Sequence, residues 1–129
     1  MTKQKKIFIF DLDDTICKTY KKKYDKSKPI KSIITKINLI KKNGHIVKIF
    51  TARYMGRNKE NYKLVKKKYY SVIYKQLKKW GINFDELILG KPSYDYFIDD
   101  KCYNIKDKST FSLINKFAKS KKKLIRVKY

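Results

Sequence analysis

The feature that most constrains this chain is a short apolar run that stops abruptly at a group of acidic residues. Residues 7–10 read Ile-Phe-Ile-Phe, and three carboxylates and a hydroxyl follow at Asp11, Asp13, Asp14 and Thr15. An unbroken apolar run of this length is typical of a strand buried on both faces of a parallel sheet. Ligands bind at the carboxyl ends of such strands. Carboxylates this close repel one another unless a cation compensates, so the stretch predicts an acidic metal site, with a solvated turn as the alternative.

The rest of the chain alternates between strand and helix patterns. Further strands are predicted at residues 46–50, 86–89, 94–98 and 124–127, and helices at residues 29–43, 58–79 and 111–118. Pro29 is expected to open the first helix and Asn58 to cap the second. Residues 16–28 lack a helical period and are expected to form a hairpin or flap. The alternation predicts a single α/β domain over residues 1–129, with a parallel sheet of about five strands and right-handed crossovers.

Polar residues with useful chemistry follow the predicted central strands. If these strands align, one rim of the sheet gathers Asp11, Asp13, Thr51, Lys91, Asp99 and Asp100. Four carboxylates without clustered His or Cys form a hard oxygen site, which suits Mg²⁺ rather than zinc. Thr51 and Lys91 would bind the phosphoryl oxygens that the metal does not reach. The pattern therefore predicts a Mg²⁺ site for a phosphate-bearing substrate.

The chain is strongly basic, with 35 Lys and Arg against 11 Asp and Glu and a net charge of +24. Such a charge attracts polyanions such as nucleic acid. Compositional drift in an A+T-rich genome is the favoured explanation, because the lysines are scattered among many Ile, Asn and Tyr. No apolar run approaches the ~18 residues of a membrane span, and the basic start lacks the roughly seven apolar residues of a secretory signal. Two cysteines make no disulfide framework. We expect a cytoplasmic protein with no membrane partner.

The acidic, hydroxyl and lysine residues at the predicted strand ends resemble the motifs of a known family. Asp11-x-Asp13-x-Thr15, then Thr51, Lys91 and Asp99-Asp100, resemble in order the four motifs of the haloacid-dehalogenase (HAD) superfamily. The resemblance implies a three-layer α/β/α, Rossmann-like fold. Both usual positions for a cap domain are short here, so a capless member is expected, with residues 16–28 as a flap. One departure is Asp14, which stands where the family most often has Gly.

The resemblance also implies roles for individual residues. Asp11 would be the nucleophile that forms an aspartyl-phosphate intermediate, and Asp13 the general acid and base. Mg²⁺ would be held by Asp11, the backbone carbonyl of Asp13, Asp99 and Asp100, the last through water. Thr51 and Lys91 would stabilise the transferring group, helped by the backbone N–H groups of Leu12 and Ala52. Arg53 would hold the rest of the substrate. The implied activity is a Mg²⁺-dependent phosphatase.

Three further motif pieces resemble the small capless phosphatases of capsule polysaccharide synthesis: Thr51-Ala52-Arg53, Gly90-Lys91-Pro92 and Ile98-Asp99-Asp100-Lys101. The substrate implied is a phosphorylated sugar of capsule or surface polysaccharide biosynthesis. A phosphorylated polynucleotide end is the second choice, and a non-catalytic module that binds polyanions is the alternative from another class. Capless members either accept large substrates or close the site with a neighbouring subunit, in which case the protein is a homo-oligomer.

Overall fold

The fold comes from a computed structural model, which describes residues 4–119. It is an α/β fold with a three-stranded parallel sheet, a two-stranded antiparallel hairpin and three α-helices within those residues. The elements in chain order are β1 (Ile7–Asp11), β2 (Cys17–Lys18), β3 (Lys28–Pro29), α1 (Lys31–Lys42), β4 (Ile46–Thr51), α2 (Tyr62–Lys79), β5 (Glu86–Leu89) and α3 (Lys108–Phe117).

The sheet order is β1-β4-β5, and both pairings are parallel. Asp11 at the end of β1 lies opposite Phe50, and Thr51 at the end of β4 lies opposite Leu89. Because the three strands run in the same direction, their carboxyl ends meet at one edge of the sheet. This register brings residues separated by up to eighty positions to a common edge.

One face of the sheet forms the core. Phe10, Val47, Ile49, Leu87 and Leu89 alternate along their strands with less buried residues, and they pack against the apolar sides of the helices. On the other face, Ile7 and Ile9 are each 61% exposed. No α-helix in residues 4–119 buries these two side chains, so the expected second helical layer is not formed by the described elements.

Two helix starts differ from the sequence prediction. Pro29 belongs to β3, and α1 begins two residues later, with Ile30 at its N-cap. The N-cap of α2 is Asn61 rather than Asn58, because the Asn61 side chain accepts a hydrogen bond from Leu64 N–H at 3.1 Å. Asn58 instead ends a short 3₁₀ turn, and its side chain donates to the Tyr54 carbonyl.

The predicted strand at residues 94–98 is not formed. This segment is irregular and exposed, including Tyr96 and Ile98. A strand needs a paired neighbour for its backbone groups, and none of the described strands pairs with this segment. β1 therefore lies at an edge of the sheet in the described part of the chain. The predicted strand at 124–127 lies outside the described residues. Within residues 4–119, no helix has both the length and the apolarity to cross a membrane.

Candidate active site

The carboxyl edge of the sheet carries the ends of all three strands and the residues that follow them. Asp11 ends β1, Thr51 ends β4, and Lys91 follows β5 after one residue. That residue, Gly90, has φ +90°, and a Cβ there would collide with the Tyr62 ring. A side chain at position 90 would be excluded on both counts. The turn directs Lys91 back across the strand ends toward β1.

Asp11 and Lys91 form an ion pair at this edge. Lys91 Nζ donates to Asp11 Oδ1 at 3.2 Å, and Thr15 Oγ1 donates to Asp11 Oδ2 at 3.2 Å. The Asp11 side chain is 35% exposed and that of Lys91 is 9% exposed. Burial disfavours the charge on Lys91, but the Asp11 carboxylate and the Tyr94 hydroxyl outweigh it and raise the pKa of Lys91 above its usual value. The pair presents an accessible carboxylate beside a fixed positive charge.

Asp13 forms a second ion pair, with Arg53. Arg53 Nη2 donates to Asp13 Oδ1 at 2.9 Å, and Arg53 Nε donates to both carboxylate oxygens at 3.1 Å. The Arg53 side chain is 1% exposed, whereas that of Asp13 is 25% exposed. Thr19 Oγ1 donates a further hydrogen bond to Asp13 Oδ1. The Asp13 carboxylate is therefore fixed in orientation from its buried side and open on another.

Arg53 is shared between three parts of the fold. Besides Asp13, its guanidinium donates to Gln76 Oε1 on α2 and to Ser27 Oγ just before β3. It also lies 4.9 Å from the centroid of the Tyr24 ring. These contacts use the guanidinium inside the protein, so it is not placed to hold the outer part of a substrate as the sequence predicted.

Residues 17–29 form the antiparallel hairpin β2–β3, in which the two strands are joined by a loop with one 3₁₀ turn at Tyr24–Lys26. Gln76 Nε2 donates to the Tyr24 carbonyl at 2.8 Å, and the Tyr24 ring meets the Tyr54 ring edge-on at 4.7 Å. Burial raises the pKa of the Cys17 thiol in this hairpin, so the thiol stays neutral. The hairpin is thus attached to α2 and to the loop after β4.

Asp14 occupies a turn between β1 and this hairpin with φ +62°. This left-handed conformation favours Gly, and Asp is among the other residues that tolerate it. The departure from the family pattern is therefore accommodated by backbone geometry. Its carboxylate accepts a hydrogen bond from Thr19 N–H, which holds it beside the hairpin.

Thr51 lies in the interior rather than open to the edge. It is 1% exposed, and its Oγ1 accepts a hydrogen bond from Arg53 N–H at 3.1 Å. Its carbonyl accepts from Lys91 N–H, also at 3.1 Å. Thr51 therefore positions the backbones of both cationic residues. Leu12 is fully buried, with a carbonyl that accepts three backbone N–H groups, and Ala52 is half-buried.

The structure does not bring Asp99 and Asp100 to the strand ends. Both lie in the exposed segment after residue 98. A hydrogen bond between the two carboxyl groups lowers the pKa of Asp99 and raises that of Asp100. Across residues 4–119, no group of three or more His, Cys, Asp or Glu could hold a metal ion. The Mg²⁺ of the sequence prediction does not fit this arrangement, because only Asp11 and Asp13 of its carboxylates are at the edge and each is paired with a cation.

Three contributors to the site were not identified from sequence: Thr19, Ser27 and Gln76. The sequence could have indicated Gln76, because this polar residue lies seven residues after Tyr69 and one before Leu77, on the apolar side of α2. A polar side chain there needs a buried partner. No sequence pattern distinguishes Thr19 and Ser27, since hydroxyl residues are common in any hairpin.

Comparison with known proteins gives the fold and no activity. No protein-family model matches the chain, and no curated protein matches it. A crystal structure of a structural-genomics target from Vibrio cholerae is similar, with a TM-score of 0.73 and 23% sequence identity. The match covers 88% of this chain and 96% of that one. The chain thus shares its α/β fold with a solved structure over most of both lengths.

Proposed function

We propose that this protein is a phosphatase that hydrolyses phosphate monoesters through an aspartyl-phosphate intermediate. The observation that carries the proposal is that two carboxylates lie at the carboxyl edge of the sheet, each in an ion pair. Asp11 Oδ1 is 3.2 Å from Lys91 Nζ, and Asp13 is held by Arg53. Asp11 is the more exposed carboxylate, which suits a nucleophile that must reach a phosphorus atom. Asp13 is oriented by its partner, which suits a group that transfers protons.

The reaction has two steps in this proposal. In the first, Asp13 has taken a proton from solvent, an Asp11 oxygen bonds to phosphorus as the bond to the leaving oxygen breaks, and Asp13 gives that proton to the leaving oxygen. Arg53 stabilises the carboxylate that Asp13 then becomes. In the second, Asp13 takes a proton from water, the water oxygen bonds to phosphorus, and the bond to Asp11 breaks. Inorganic phosphate leaves, and both carboxyl groups return to their starting forms.

Lys91 supplies the electrostatic part of this proposal. Its ammonium is nearly buried and already points at Asp11, so it would face the phosphoryl oxygens of a substrate attacked by Asp11. A preorganised charge in a largely dry position stabilises developing negative charge strongly. The raised pKa keeps Lys91 protonated at neutral pH. Thr51 contributes by fixing the Lys91 and Arg53 backbones rather than by binding phosphate itself.

The finer fold of the proposal is a five-stranded, HAD-like sheet. β1 is an edge strand among the described residues, and Tyr94, Tyr96, Phe97 and Ile98 are exposed apolar side chains of the irregular segment that follows Lys91. Addition of residues 94–98 to that edge would carry Asp99 toward the strand ends. Mg²⁺ dependence stays a prediction that requires this rearrangement, and the roles of Asp11, Asp13 and Lys91 above do not depend on it.

For the substrate, a sugar phosphate of polysaccharide biosynthesis remains the first class to test, because the motif pieces around Thr51, Lys91 and Asp99 resemble that group. A phosphorylated polynucleotide end is the second. The proposed compartment is the cytoplasm, which agrees with two unpaired cysteines, the buried Cys17 and the exposed Cys102.

The test is phosphate release from a panel of sugar phosphates, nucleotides and an aryl phosphate, with and without Mg²⁺. Asp11→Asn should abolish release from every substrate that the wild type hydrolyses. Asp14→Asn is the matched control, because it makes the same change three positions away and Asn also tolerates the left-handed backbone. Asp14→Asn should retain activity within about threefold, since its carboxylate lies outside both ion pairs. Equal activity of Asp11→Asn and wild type would refute the proposal.

A further inference from the structure

Helix α2 presents a basic and aromatic surface to solvent beside the candidate active site. Tyr62, Lys63, Lys66, Lys67 and Tyr70 line one open depression of about 540 Å³, and we call these five residues the basic face. The three lysines are exposed, and Lys66 Nζ lies 5.9 Å from the Tyr62 ring centroid. Within residues 4–119, no carboxylate lies at ion-pair distance from any of the three.

Acidic residues do not balance the lysines of this helix. α2 contains seven lysines and no Asp or Glu. Lys63 and Lys67 are four residues apart, as are Lys75 and Lys79, and like charges at this spacing destabilise a helix by a few tenths of a kcal/mol per pair. Packing is supplied by other residues, namely Val65, Ile73 and Leu77. Lys66 contacts the Tyr62 ring, and none of the three lysines of the basic face belongs to the buried side of the helix.

The basic face begins next to the catalytic lysine of the proposed function. α2 returns the chain between the parallel strands β4 and β5, so its first residues lie at the carboxyl edge of the sheet. The Tyr62 ring packs directly against Gly90, the residue before Lys91. The basic face thus begins beside the turn that carries Lys91.

We propose that the basic face binds single-stranded nucleic acid. Lysine ammonium groups at helical spacing match a backbone that carries one negative charge per nucleotide, and an exposed tyrosine ring offers a stacking surface for a base. A duplex offers its phosphates but buries its base faces, so the combination favours a single strand. The net charge of +24 adds long-range attraction for the same ligand.

This binding surface goes beyond the proposed phosphatase activity and is tested without it. The probe is a fluorescein-labelled oligothymidylate of about 12 nucleotides without a terminal phosphate, within the range that one single-strand site covers. Its fluorescence anisotropy reports binding whether or not the protein hydrolyses phosphate esters. Where both proposals hold, a phosphorylated end of the bound strand would be a substrate of the adjacent Asp11.

The variants compare equal changes of charge at two places. Lys63→Gln, Lys66→Gln and Lys67→Gln together should lower the slope of log affinity against log salt by about 2, since each single-strand phosphate contact contributes about 0.7. Lys31→Gln, Lys42→Gln and Lys108→Gln remove three exposed lysines from α1 and α3 and should leave the slope unchanged. If the first triple variant is unfolded by circular dichroism, Lys66→Gln alone should lower the slope by about 0.7.

Two further variants test whether a base stacks on the Tyr62 ring. Tyr62→Leu should weaken binding at least about fivefold, whereas Tyr74→Leu, an exposed tyrosine of the same helix outside the basic face, should not. Three results would overturn the proposal: no binding at low salt, equal loss in both lysine triples, or tighter binding of polygalacturonate with no effect of Tyr62→Leu. The last would indicate an acidic polysaccharide surface.

Discussion

The Arg53–Asp13 ion pair is the strongest test of how this site is built, and a double-mutant cycle measures its strength. A surface ion pair contributes about 0.2–1 kcal/mol, whereas removing one partner of a fully buried pair costs about 3–5 kcal/mol. Here the Arg53 side chain is almost completely buried and Asp13 is one-quarter exposed, with three N–H···O contacts of 2.9–3.1 Å. This intermediate environment places the expected coupling energy at about 2 kcal/mol.

The cycle consists of wild type, Arg53→Met, Asp13→Asn and the double variant. The free energy of unfolding is measured in urea through the fluorescence of Trp80, the one tryptophan of the chain, which packs at the C-terminal end of α2. Each single substitution should cost about 2–3 kcal/mol, because it leaves a charge or its partner uncompensated. The double variant should lose about 2 kcal/mol less than the sum of the two.

The Lys41–Asp85 pair is the matched control. Its atoms approach to 2.7 Å, closer than in the Arg53–Asp13 pair, but both side chains are more than a quarter exposed. The same cycle with Lys41→Met and Asp85→Asn should give a coupling energy below about 1 kcal/mol. If the two cycles give equal coupling energies, burial does not strengthen the Arg53–Asp13 pair, and the reasoning that makes Arg53 the positioning residue of Asp13 is refuted.

Three other outcomes are expected. Asp13→Asn should slow the first step, measured as single-turnover release of the leaving group, by about 10²–10⁴-fold for alkyl phosphates but far less for 4-nitrophenyl phosphate, whose leaving group needs no proton, and equal losses in this step would contradict a general-acid role. The hydrogen bonds that Lys41 and Val47 N–H donate lower the pKa of the Asp85 carboxyl in the folded protein. The charged carboxylate therefore stabilises the fold above its unfolded pKa of about 3.9, and this stabilisation is lost as the pH falls through the lower pKa of the folded state. At neutral pH, wild type and Asp85→Asn should differ in unfolding free energy by under about 1 kcal/mol, because the group is exposed. This difference should shrink toward zero in acid, and a difference that grows in acid would contradict the prediction. Amide hydrogen exchange of residues 94–98 should slow when Mg²⁺ and inorganic phosphate are added together, and an unchanged rate would count against the five-stranded sheet.

The regular elements near the site could be predicted because their signals are local. The apolar run before Asp11 became β1, residues 86–89 became β5, and the isoleucines at helical spacing became the buried side of α1. Each prediction depends on an apolar run or on a helical period, and both are patterns contained within a few consecutive residues. The helix starts were less predictable, since Asn58 and Asn61 are both competent caps and only the hydrogen bond to Leu64 distinguishes them.

The partners within the site could not be predicted from local signals. The sequence predicted that Arg53 lies at the carboxyl edge of the sheet, where the structure also has it. Its pairing with Asp13 rather than with a substrate depends on contacts with the hairpin and with Gln76, which are far away in sequence. Thr51 was expected to face phosphate because it ends a strand, yet the alternation of β4 turns its side chain into the core. Residues 94–98 have a strand pattern, but a strand also needs a neighbour that pairs with it.

The central claim is that Asp11 is the residue that accepts the phosphoryl group, and the most direct measurement is to find that group on the chain. The Asp13→Ala variant, which lacks the base for the second step, is mixed briefly with 4-nitrophenyl phosphate, whose leaving group needs no proton in the first step, and is then quenched in acid and mapped by mass spectrometry. A phosphoryl group on Asp11 that hydroxylamine removes, and that is absent when Asp11→Asn is added, is the predicted result. A covalent group on another residue, or release of 4-nitrophenolate by Asp13→Ala with no covalent group on the chain, would contradict the account.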